Sequence, residues 1–254
     1  MKIDLSGKKA FVTGGSGGIG RVIVKTLAEC GADVAIHYHS DKENAEKVAK
    51  EITEKYGVKS YVVQGDVTKE EDVNRIKSEL EASFGLPDLL VPNAVIQYKF
   101  KELLDQDIKD FYSQFESCVM QTVYLSKAFI PHMIEQNYGK IVAINTECSY
   151  MAEPTFSAYV AGKRGLDGVV RVLAKEVGKY NITINQVAPG WTITDKEREE
   201  GVNNSPDYLA SVPLNRRGTD VDIANMVAFF LSDYSSFTTG AYIPVSGGRV
   251  MPGI

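Results

Sequence analysis

Short runs of aliphatic and β-branched residues alternate along the whole chain with longer amphipathic stretches, and this alternation leaves few folds open. Strands are predicted over residues 9–13, 33–38, 60–64, 89–91, 140–145, 183–187 and 242–245. Most are apolar on both faces, as strands buried in a parallel sheet are. Helices are predicted over 19–30, 41–56, 69–84, 108–136, 158–179 and 220–232. Capping residues open several of them: Ser40 or Asp41, Thr68 with Glu71, and Thr219 or Asp220. Right-handed crossovers turn this pattern into one α/β domain over 1–254, a doubly wound parallel sheet with helices on both faces. Ligands in such a sheet bind beyond the carboxyl ends of the strands.

Composition removes other classes. Apolar residues make up 44% and charged residues 24% of the 254, which excludes a disordered or fibrous chain. The net charge of −5 argues against a nucleic-acid partner. The apolar runs are strand-length, well short of the ~20 residues of a membrane span. Met1 to Gly7 lacks the apolar core of a signal peptide, so a cytoplasmic location is expected. Cys30, Cys118 and Cys148 are too few and too scattered for a disulfide framework or a zinc cluster. His37, His39 and His132 lack ligand spacing with carboxylates, so no metal is expected.

The first strand runs into a glycine turn, from Gly14 through Ser16, Gly17, Gly18 and Ile19 to Gly20, which opens the first helix. Gly14 permits the sharp turn, Gly18 lets backbone approach a pyrophosphate, and Gly20 permits close helix–strand packing. This reads as a dinucleotide site. At the end of the second strand, Tyr38 stands where an acid would bind an adenosine 2′-hydroxyl. His39, Ser40 and nearby Lys42 suit a 2′-phosphate instead, so NADP(H) is expected over NAD(H), which stays open. Asp66 and Val67, after the third strand, are placed to meet the adenine; Asp66 equally suits capping the next helix.

Tyr159 and Lys163 are four apart in a predicted helix and so share one face. An ammonium beside a phenol favours phenolate, drawing its pKa down from about 10 toward working pH. Such a tyrosine protonates a carbonyl oxygen as a hydride arrives, or deprotonates an alcohol in reverse.

With this pair in place, the sequence resembles the short-chain dehydrogenase/reductase family from end to end, in a form like the 3-oxoacyl-(acyl carrier protein) reductases. The resemblance rests on Thr13-Gly14-x3-Gly18-Ile19-Gly20, Asp66-Val67, Asn93-Ala94, Tyr159-x3-Lys163, Asn185-x-Val187-x-Pro189-Gly190, Arg217-Gly218-Thr219 and Thr239-Gly240-Ala241. It implies a Rossmann-type sheet of seven strands ordered 3-2-1-4-5-6-7, interconversion of a ketone and a secondary alcohol with NAD(P)(H), and a homotetramer. It makes Tyr159 the acid/base and Lys163 the ligand of the nicotinamide ribose. Asn93 and Ala94 would line the cofactor site. The loop from Pro189 and Gly190, with Thr192 and Thr194, would hold the nicotinamide.

The departures are informative. The substrate-orienting serine of the family falls on Thr146, which keeps a hydroxyl, with Ser149 as a reserve. The proton-relay asparagine falls on Cys118, a poor substitute for an amide. Pro92 and Val95 replace the asparagine and glycine that flank Asn93-Ala94 in the family. Two readings follow: an active enzyme with an impaired relay, or a dinucleotide-binding protein with little turnover.

Substrate contacts are expected from Gln97 and Tyr98, from Glu147 to Tyr150, and from the charged, poorly patterned segment 191–213, read as a lid with Trp191 on the pocket wall. An acidic acyl carrier would need basic docking residues, and Glu135-Gln136-Asn137-Tyr138 supplies none, so a sugar, polyol or other small ketone is equally admissible. Apolar stripes Leu125, Phe129, Met133 and Leu166, Val170, Leu173 are read as serving both core and partner.

Overall fold

A computed structural model describes residues 2–253. Strands β1 (Lys9–Val12), β2 (Asp33–Tyr38), β3 (Ser60–Gln64), β4 (Leu89–Val91), β5 (Gly139–Ile144) and β6 (Ile182–Pro189) alternate with helices α1 (Gly18–Glu29), α2 (Lys42–Tyr56), α3 (Glu70–Ser83), α4 (Ile108–Phe115), α5 (Gln121–Gln136), α6 (Cys148–Met151) and α7 (Ser157–Val177). The C-terminal part adds β7 (Thr192–Ile193), α8 (Asp195–Glu200), α9 (Pro206–Ala210), β8 (Gly218–Thr219), α10 (Asp220–Leu231) and β9 (Tyr242–Val245). Seven strands form one sheet in the order β3-β2-β1-β4-β5-β6-β9, every pair parallel. This is the expected topology, its seventh strand being β9; β7 and β8 pair separately, outside the main sheet.

The residues dictate two cores, one per face. Ala10, Val12, Val34 and Ile36 point to the side covered by α1, α2 and α10. Phe11, Ala35 and Val63 point to the side covered by α3, α5 and α7. Burial on both sides explains why the middles of these strands are apolar, with Lys9, Asp33, Ser60 and Gln64 at strand ends and His37 the buried exception. Leu125, Phe129, Met133, Leu166 and Val170 are buried in the second core, and Leu173, the last residue of the two stripes, packs against it only partly buried.

Local chemistry sets the element ends. Asp41 caps α2 by accepting from the Asn44 amide, and Thr219 and Asp222 form a reciprocal capping box on α10. The cap expected at Thr68 is not made: α3 starts at Glu70, and the Thr68 hydroxyl is held by Asp66 at 2.6 Å.

One prediction needs correction. The helix expected over 108–136 is broken by a π-turn at Glu116–Met120. The segment 191–213, read as a lid, has secondary structure of its own. It carries β7, α8 and α9, and its charges are latched to the body: Asp195 to Arg21 at 2.5 Å, Arg198 to Asp220 at 2.6 Å, and Glu197 to the buried Arg217.

Candidate active site

Beyond the carboxyl ends of the strands lies a cavity of about 1070 Å³. The glycine turn forms one end. Gly14 and Gly18 have φ of +63° and +50°, which favours glycine at both. A Cβ on Gly20 would fall 2.2 Å from the Gly14 carbonyl oxygen, whereas Gly17 and Gly18 face open space. The turn therefore packs against the chain on one side and presents bare backbone and the start of α1 on the other, which fits a diphosphate.

Buried polar groups hold this turn in place. The Thr13 hydroxyl donates to Gln121 Oε1 at 2.6 Å and accepts from the Asn93 and Ala94 amides; Gln121 Nε2 donates to the Ala94 carbonyl. His37 is wholly buried: its Nδ1 accepts from the Gly14 amide at 3.1 Å, and its Nε2 donates to the Gly65 carbonyl at 3.0 Å. Burial lowers its pKa to about 4, so the ring is neutral at pH 7 and holds the turn as an acceptor. Sequence reading passed over Gln121 and the structural role of His37. An amide on the apolar side of a helix and a histidine inside a strand were the available signals.

Ser16, Gly17, Ile19, His39, Ser40, Asn93, Ala94, Pro189, Gly190, Thr192 and Thr194 all line the cavity, and so does Val95. Tyr38 does not. Strand alternation turns its ring into the first core, leaving His39 and Ser40 at the rim. Val67 is buried in the second core, and Asp66 holds Thr68 through one oxygen.

At the other end, α7 brings Tyr159 and Lys163 to the cavity on one helical face, and the end of β5 brings Thr146. Lys163 Nζ donates to the Ile144 carbonyl at 2.6 Å and lies 5.8 Å from the centre of the Tyr159 ring. The phenol is not acidified. Burial pushes the Tyr159 hydroxyl above its ordinary range, the Cys118 and Cys148 thiols act the same way, and only a hydrogen bond with Thr146 opposes them. The direction is opposite to the expected lowering: the Lys163 ammonium is tied to the Ile144 carbonyl, and burial is the largest influence on the phenol.

Thr146, not Ser149, faces the cavity; the Ser149 hydroxyl turns inward to Thr146 O and Tyr242 Oη, both at 2.9 Å. Cys118 is buried on the π-turn and does not reach the lining. Of the expected substrate contacts, Gln97, Glu147, Cys148 and Trp191 line the cavity. Tyr98 instead accepts from the Tyr159 amide at 2.9 Å, capping the first turn of α7, and Tyr150 packs on Tyr242 and Arg164. Trp191 is clamped between Arg217, stacked 3.9 Å from its ring centre, and Tyr208. Among the described residues no group of His, Cys, Asp and Glu is placed to hold a metal, and no helix is long and apolar enough to cross a membrane.

Comparison with known proteins agrees with this geometry. A family model described as enoyl-(acyl carrier protein) reductase matches residues 14–249. The 3-oxoacyl-(acyl-carrier-protein) reductase FabG of Staphylococcus epidermidis is 35% identical over 96% of this chain and 99% of its own. The gluconate 5-dehydrogenase of Burkholderia cenocepacia, solved with NADP and tartrate, superposes with a TM-score of 0.90 at 28% identity, covering 98% of this chain and 97% of that one. The acetoin dehydrogenase YohF of Salmonella typhimurium superposes with a TM-score of 0.84 at 30% identity, covering 95% and 96%. Sheet order, glycine turn and the Tyr159–Lys163 pair at one cavity agree with these matches, and the chain belongs to the short-chain dehydrogenase/reductase family, as an NAD(P)-dependent oxidoreductase that interconverts a ketone and an alcohol.

Proposed function

We propose that the protein is an NADP(H)-preferring cytoplasmic reductase of small ketones with Tyr159 as its proton donor. The observation that carries this reading is the convergence of Tyr159, Lys163 and Thr146 on the cavity whose far end is the glycine turn. The turn from Gly14 to Gly20 binds the pyrophosphate through backbone amides. His39 and Ser40 at the rim take the 2′-phosphate, with no carboxylate on Tyr38 to repel it. Asp66 offers its second carboxylate oxygen to the adenine amino group, with Val67 beside it. Asn93 and Ala94 carry the floor of the site, and Pro189, Gly190, Thr192 and Thr194 hold the carboxamide end.

When bound, the reduced nicotinamide supplies a hydride to the carbonyl carbon. Tyr159 gives its phenolic proton to the carbonyl oxygen, so ketone, hydride and proton together make the alcohol. A phenol pushed upward by burial is protonated at neutral pH and is therefore in the form that reduction needs. The Thr146 hydroxyl orients the same oxygen. Lys163 spends one donor on Ile144 and keeps two for the ribose hydroxyls. Cys118, the counterpart of the family's relay asparagine, plays a weaker part in resupplying the proton.

Steady-state rates with NADPH and NADH over a panel of ketones test the proposal. A KM clearly lower for NADPH is expected; a preference for NADH overturns the cofactor assignment. Tyr159→Phe turnover equal to wild type removes the assigned chemistry.

The protein acts as a homotetramer in this reading. Ile108, Tyr112 and Phe115 form an exposed apolar stripe on α4, which packs on α7, where Val172 is also exposed. A patch of this kind calls for a partner.

A further inference from the structure

The substrate end of the cavity is lined by three carboxylates (Glu147, Glu153 and Asp207) and a single guanidinium, Arg249. That guanidinium is already engaged at all three of its nitrogens. It donates to Glu147 at 2.9 Å, to Glu153 at 3.0 Å and, through Nε, to the Ser211 hydroxyl at 2.8 Å. Three of the five N–H donors of Arg249 are thus taken within the chain, and with three carboxylates against one guanidinium the local charge stays negative.

Glu147 adds a second, independent observation. It directly follows Thr146 and is 2% exposed. Its Oε1 accepts from Arg249 and, at 3.2 Å, from the Tyr208 hydroxyl, while its buried Oε2 has no hydrogen-bond partner. Oε2 ends beside Gly190 and Tyr208, both on the cavity wall; the Trp191 amide nearby is taken up by Tyr208 at 2.8 Å. A buried carboxylate oxygen left unpaired is costly, and a donor brought by a ligand relieves that cost.

We infer that the site selects a small, non-anionic ketone bearing a hydroxyl donor near its carbonyl, with Glu147 as the residue that reads the hydroxyl and the surrounding carboxylates as the elements that reject acids. The assignment rests on the ketone-reductase reading above and narrows it to the hydroxyketone class. Thr146 and Glu147, consecutive in the chain, then divide the work: one orients the carbonyl oxygen and the other accepts from the neighbouring hydroxyl. Specificity of this kind is strong because the analogue lacking the hydroxyl leaves the carboxylate oxygen unpaired.

Three four-carbon probes decide the point: acetoin, butan-2-one and 2-oxobutanoate. Each is titrated calorimetrically into the protein without added dinucleotide, where acetoin can be neither reduced nor oxidised, and assayed separately with NADPH. Acetoin is expected to bind about tenfold or more tighter than butan-2-one, and 2-oxobutanoate about tenfold or more weaker than acetoin. Smaller ratios in the titration overturn the inference, as does 2-oxobutanoate binding best. Glu147→Gln keeps an oxygen for Arg249 and turns an amide donor to the pocket, so the acetoin preference should collapse and the rejection of 2-oxobutanoate should ease. An unchanged acetoin preference in that variant overturns the role of Glu147. If Glu147→Gln does not fold, Asp207→Asn on the exposed side of the pocket reads the charge effect, and unaltered rejection of the acid counts against it. Should none of the probes be reduced while the binding ratios hold, the reductase reading fails and the recognition claim stands.

Discussion

Tyr159→Phe keeps the aromatic ring, and with it the packing against Phe100 at 6.4 Å between centres, while removing the one hydroxyl that meets Thr146 in the cavity. Turnover is therefore expected to fall by about 10²–10⁴, with NADPH still bound in a fluorescence titration; loss of dinucleotide binding instead would mean the hydroxyl holds the cofactor site together. His37 gives a second test at this scale. Its folded pKa is about 4 against an ordinary value of 6.5, so the unfolded chain takes up a proton that the folded chain refuses. Stability from this group is intact above pH 6.5 and is lost as pH falls to about 4, reaching roughly 3 kcal/mol. Denaturant midpoints measured from pH 7 to 4 should drop less steeply in His37→Gln than in wild type; equal slopes would refute the neutral buried ring. Tyr159, Lys163 and Thr146 were legible because spacing fixes which helix face or strand end a residue occupies. The upward shift of the phenol was not, since desolvation depends on everything packed around it rather than on one neighbour.

The β1–α1 turn shows how much of an element its glycines decide. A methyl on Gly20 would meet the Gly14 carbonyl oxygen at 2.2 Å, and neither backbone can retreat, because Gly14 is pinned by His37 and by Asn93. Gly20→Ala should cost about 1–3 kcal/mol and weaken dinucleotide binding, whereas Gly17→Ala, with nothing within 4 Å, should melt like wild type. Thermal unfolding of the pair is the measurement, and equal melting temperatures would show that the turn relaxes. The π-turn at Glu116–Met120 makes a contrasting case. Periodicity over 108–136 reads as one helix because a single extra residue in a turn barely disturbs an apolar stripe. That turn carries Cys118, so Cys118→Asn should raise the rate if proton resupply limits it, read as a pre-steady-state burst that shrinks. Short elements such as α8 and α9 escaped prediction for a related reason. Ion pairs to Arg21, Asp220 and Arg217, distant in sequence, hold the first of them, and no local pattern announces such partners.

For the whole molecule, crossover handedness and the alternation of elements made the doubly wound parallel sheet legible and the family resemblance supplied its strand order, but the exposed apolar surface was not legible in the predicted stripes. Leu125, Phe129 and Met133 are spent on the core, and the unpartnered apolar area lies on α4, where Ile108, Tyr112 and Phe115 recur at helical spacing and are all more than half exposed. Seating that stripe on a second copy removes apolar surface from water at about 25 cal/mol per Å², and the α4–α7 pairing supplies a rigid support for it. Light scattering should give about four times the chain mass of 27.9 kDa. Phe115→Glu puts a charge on the stripe, where burial without a partner is prohibitive, so the species should dissociate to a smaller one while the far-ultraviolet circular dichroism keeps its shape. A wild-type mass of one chain would remove the assembly, and a variant that stays fully assembled would move the interface elsewhere on the surface.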